Sequence, residues 1–76
     1  MFETVVKHYV KIALDKPGTP PLLRPVTTEF YHGTLFVSTI TIEQAELVLK
    51  ELNAKVGKTQ MSPIGDTGEY AYDFVA

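Results

Sequence analysis

The chain contains no cysteine, which excludes a disulfide framework, a thiolate zinc site and a cysteine nucleophile. It has no apolar run approaching the roughly eighteen residues that span a bilayer, so no membrane association is expected. The first ten residues, MFETVVKHYV, carry Glu3, and Lys7 and His8 break what would have to be the apolar centre of a signal peptide. The expectation is a soluble, cytoplasmic protein. Histidine is scarce: His8 and His32 stand alone, without a His-x-x-His or Glu-x-x-His pair, so a three-ligand zinc centre is not expected. Gly65 and Gly68 match neither phosphate-loop nor dinucleotide-binding spacing, and no Lys-Ser/Thr follows them. Ser38 and Ser62 lack the setting of a nucleophile elbow. Asp66-Thr67-Gly68 spells the catalytic triplet of aspartic proteases. That chemistry needs two carboxylates sharing a proton inside apolar loops, whereas this triplet sits among Ser62, Pro63, Gly65 and Glu69 and reads as a turn. The expectation is no catalytic residue, no cofactor and no metal.

What remains is a chain of 76 residues, 45% apolar and 21% charged, the composition of one globular domain. Residues 1–25 hold four basic against two acidic side chains, and residues 26–76 hold three against seven. Such polarity can orient a domain on a charged partner.

The strongest pattern is Thr34–Gly57, a strand leading directly into an amphipathic helix. Thr41 is a good N-cap and Gln44 completes a capping box. Ile42, Ala45, Leu49, Leu52 and Val56 recur at helical spacing, with Val48 on their flank. Truncating Leu49 is therefore expected to cost roughly 2–5 kcal/mol. Glu46→Lys50 and Glu51→Lys55 form i,i+4 pairs on the wet side, and Gly57 supplies the C-terminal stop.

Phe2–Leu14 alternates, with Val6, His8, Val10, Ile12 and Leu14 on one side, and reads as a long half-buried strand. Lys16–Pro25 holds four of the five prolines and reads as an extended surface loop. Val26–Tyr31 and Thr34–Ile40 form a hairpin about His32-Gly33, the second strand central because both its sides carry apolar groups. Lys58–Met61 and Glu69–Val75 form another hairpin around a long glycine-bearing loop. The expected fold is a single α+β domain: a two-layer sandwich of four to five mainly antiparallel strands with one helix on one face. The strand–helix–strand step can add one parallel pair.

Two surfaces carry functional expectations. Tyr70, Tyr72 and Phe74 share one side of the last strand; if the helix covers the other side, these rings need a partner, while Leu22 and Leu23 in the proline-rich loop either tuck back over the core or await a partner themselves. Lys7, Tyr9 and Lys11 share one side of the first strand, with Arg24 able to extend them, the ingredients of a single-stranded nucleic-acid platform. The leading reading is a small non-catalytic accessory or regulatory protein that binds another protein or pairs with itself as a homodimer. Its length suggests an accessory product such as those of viruses or mobile elements. A nucleic-acid-binding module comes second, and a small enzyme or ligand carrier third.

Overall fold

The N-terminal segment is a helix, not a strand. In a computed structural model describing residues 2–16, 26–66 and 68–74, α1 runs Phe2–Leu14, followed by β1 Thr27–Tyr31, β2 Thr34–Ser38, α2 Ile42–Lys55, β3 Thr59–Ile64 and β4 Glu69–Phe74. Val6, Val10, Ala13 and Leu14 are the buried residues of α1, at the i, i+4, i+7, i+8 spacing of one helical face. Lys7 Nζ lies 3.0 Å from Glu3 on the outer side, a pair that a helix brings together and a strand would not.

The strand order is β1-β2-β4-β3, and every pairing is antiparallel. Among the described residues no parallel pair forms. β2 and β3 do point the same way, but β4 lies between them, so α2 makes a crossover without an adjacent parallel partner. His32 and Gly33, with φ of 50° and 79°, form the two-residue turn of the first hairpin, a geometry matched to strand twist. The second hairpin is tighter than expected. β3 runs through Pro63 to Ile64, which pairs with Glu69. Pro63 falls on β3, an edge strand, the part of a sheet where proline is tolerated.

Both helices cover the same sheet face, and one cluster joins Val6 and Val10 of α1, Val48 and Leu52 of α2, and Leu35, Val37 and Tyr72 of the sheet. The α+β two-layer arrangement holds, with two helices in place of one. Phe2 sets its ring edge-on to Phe30 at 5.8 Å and to Phe74 at 5.2 Å, docking the start of α1 on β1 and β4.

Around α2 the capping box forms as expected: Gln44 N–H donates to Thr41 Oγ1, and Thr41 N–H donates to Gln44 Oε1. The buried stripe is rotated, however. Ala45, Val48 and Leu52 are its centre, Leu49 and Val56 only flank it, and Ile42 is exposed. A second helix beside α2 turns Glu51 inward, where its carboxylate meets Lys16 rather than Lys55. Leu49→Ala should then cost about 1 kcal/mol, well below the loss at a fully buried leucine. Urea midpoints would test this; a loss at Leu49 equal to that of Leu52→Ala would restore the stripe expected from spacing.

Ile40 shows how one backbone angle redirects a side chain. Alternation places it with Phe36 and Ser38, on the side away from the helices, yet it is buried in the core. Thr39 has φ of 71°, an unusual left-handed value for a β-branched residue. The bend it makes ends β2 and swings Ile40 inward beneath the start of α2.

Candidate functional site

The residues nominated from sequence are mostly not where the nominations need them. Once Lys7–Lys11 is helical, Tyr9 turns about 200° away from Lys7. Tyr9 packs against the core while Lys11 stays exposed. Lys7 and Lys11 do line one hollow of about 400 Å³ between α1 and β1, with Val10, Leu14 and Val26, but Tyr9 is not in it. The strand-face stripe is thus taken apart. Tyr70 and Tyr72 are buried and Phe74 packs against the same core, so this row faces the helices and is not an open surface. Its rings needed a cover, and α1 together with α2 is that cover. Leu22, Leu23 and Arg24, with most of the proline-rich stretch, lie outside the described residues.

Among the described residues, nothing covers the opposite side of the sheet. Leu35 and Val37 point to the helices, so alternation sends Thr34, Phe36 and Ser38 the other way. The strand register then sets Glu29 beside Phe36 and Phe36 beside Ala71. The next row carries Tyr31, Thr34, Asp73 and Gln60. Thr34 Oγ1 donates to Asp73 Oδ1 at 2.7 Å, tying these two central strands together. Tyr31 is 65% exposed, with its ring edge-on to His32 at 4.1 Å. Thr27, Glu29, Tyr31, Phe36, Ser38 and Glu69 line a shallow hollow of about 530 Å³.

Charge on this face has one sign. Glu29, Glu69 and Asp73 are the charged residues of the four strands, and none of the strands contains lysine, arginine or histidine. All three acids fall on the open side by register. For β4 this was legible before folding, because Glu69 and Asp73 alternate with Tyr70, Tyr72 and Phe74; Glu29 joins them only through the hairpin register.

Among the described residues, no group of three or more acidic, histidine or cysteine side chains is placed to hold a metal ion, and no helix is long and apolar enough to cross a membrane. Among the same residues, one ionisable group is clearly perturbed. Burial, with a smaller contribution from Tyr70, pushes the Tyr72 phenol well above its ordinary value near 10. Its hydroxyl donates to the Ala45 carbonyl of α2 at 2.9 Å. That is a core role, because the group is sealed from the open face. No family model, curated protein or solved structure matches the chain.

Proposed function

We propose that this chain is a small, non-catalytic cytoplasmic accessory protein that binds another protein through the open face of its sheet. The observation that carries the reading is the hollow around Phe36 and Tyr31. The helices complete the core on the other side, so these rings are not required there. Large, stiff side chains within a polar rim are the usual anchors of protein interfaces. A face-to-face homodimer is disfavoured, because Glu29, Glu69 and Asp73 of two copies would confront one another. Nucleic acid is disfavoured for the same reason, since phosphates would meet carboxylates.

Affinity capture with cross-linking, comparing the native chain with a Tyr31→Ser/Phe36→Ser double variant, tests the reading. The native chain should recover a partner that the double variant loses while keeping its helical circular dichroism. Equal recovery by both would remove the open face from the interaction.

A further inference from the structure

We infer that the hollow on the open face receives an extended, arginine-bearing segment of a partner protein, with the guanidinium lying over Phe36 between Glu29 and Glu69. The inference rests on the open face being a binding surface and adds the chemistry of what it binds.

Three observations converge on that chemistry. Charge complementarity comes first, since every charged side chain in the strands is acidic and lies on this face. The placement of the ring comes second. Glu29 is the direct cross-strand neighbour of Phe36. Glu69 precedes Tyr70, the partner of Val37, by one residue, so it sits beside Ser38 and diagonal to Phe36. Strand spacing puts the Cα atoms of the two glutamates about 12 Å apart, with the ring between them and both side chains on the hollow. The third is the ring itself, half-buried and lining the hollow, so that part of it stays accessible on that side of the sheet. A planar cation can stack on that side while its edges donate to carboxylates, and guanidinium does both where ammonium serves only as a point charge. An extended segment suits the site because its alternate side chains would enter a sheet-lined trough at strand spacing.

The test uses fluorescence anisotropy with two labelled peptides, one alternating arginine with valine and one alternating glutamate with valine. The arginine peptide should bind the native chain, weaken as salt rises, and shift backbone amide resonances of Glu29, Phe36 and Glu69 rather than those of α2. The glutamate peptide should not bind. A Glu29→Gln/Glu69→Gln variant, which keeps side-chain size, should bind the arginine peptide about tenfold or more weakly with an otherwise unchanged amide spectrum. Equal binding of both peptides, or equal affinity of the variant and the native chain, would overturn the inference. If the native chain captures a partner through Phe36 and Tyr31 but the arginine peptide fails to bind, the binding-face reading stands and the arginine assignment falls. A dimer mass in light scattering that rises when Glu29 and Glu69 are neutralised would make a second copy the occupant and also overturn it.

Discussion

Tyr72→Ala is expected to cost about 3–5 kcal/mol, and Tyr72→Phe about 1 kcal/mol. Tyr72 is fully buried, the largest such side chain. It lies on β4, which has a paired strand on each side. Removing the ring empties the space between Leu35 of the sheet and the α2 stripe, in a core too small to collapse over the gap. A domain of 76 residues has a total stability of roughly 4–11 kcal/mol at usual values per residue, so the alanine variant should be largely unfolded at 37 °C. The phenylalanine variant separates the ring from the hydroxyl, which donates to Ala45 O at 2.9 Å. The phenol also gives a pH signature. Its folded pKa is raised, so the proton is held more tightly in the folded chain than in the unfolded one. The stabilisation is complete below the ordinary value near 10 and is lost as pH rises beyond it, because the unfolded chain ionises first. Urea midpoints measured from pH 8 to pH 11 should fall at the alkaline end in the native chain and fall less in Tyr72→Phe. Parallel curves would show that Tyr72 is not the group responsible.

Local chemistry that a few adjacent residues decide was legible in the sequence. The Thr41–Gln44 capping box and the His32-Gly33 turn each depend on side chains and backbone angles within one turn of chain, and both form. The central position of β2 also followed, because Leu35 and Phe36 make both of its sides apolar. α1 did not follow, for an identifiable reason. Val6, Val10 and Leu14 are four apart, so they satisfy a period of two and a period of 3.6 at once. Ala13 is buried while the intervening Ile12 is only half-buried, and those two positions separate the readings. Length was the other available signal, since thirteen residues without proline or glycine exceed an ordinary strand.

The helical state of α1 also decides where the site lies. With one helix, the Tyr70–Tyr72–Phe74 row needs an outside partner. With two helices side by side the row becomes core, and the opposite parity of the same strand becomes the surface. Alternation says which residues share a side, but only the packing of distant elements says which side is wet. Lys7, Tyr9 and Lys11 changed meaning for the same reason, because a stripe at spacing two exists only on a strand.

Gly68→Ala is expected to cost about 2–5 kcal/mol, against about 1 kcal/mol for Gly65→Ala in the same turn. Both glycines have positive φ, 79° and 65°, so alanine pays a left-handed penalty at either position. Their surroundings differ. A Cβ on Gly65 meets nothing within 4 Å, whereas one on Gly68 falls 2.8 Å from the backbone oxygen of Ile40. That oxygen has little freedom to retreat. Thr39 N–H and Ile40 N–H both donate to the Gly68 carbonyl, at 3.0 and 3.3 Å. Ile40 is buried, and Thr41 beyond it caps α2. Relief therefore requires moving the β2–α2 junction or opening the β3–β4 turn. Either movement also displaces Glu69, the next residue and one wall of the hollow. Thermal or urea unfolding of the two variants should separate them by more than 1 kcal/mol, and amide resonances of Ser38 and Glu69 should shift in Gly68→Ala alone. Equal losses at the two positions would mean that left-handed strain accounts for both and that the close approach to Ile40 does not hold the two halves of the sheet together.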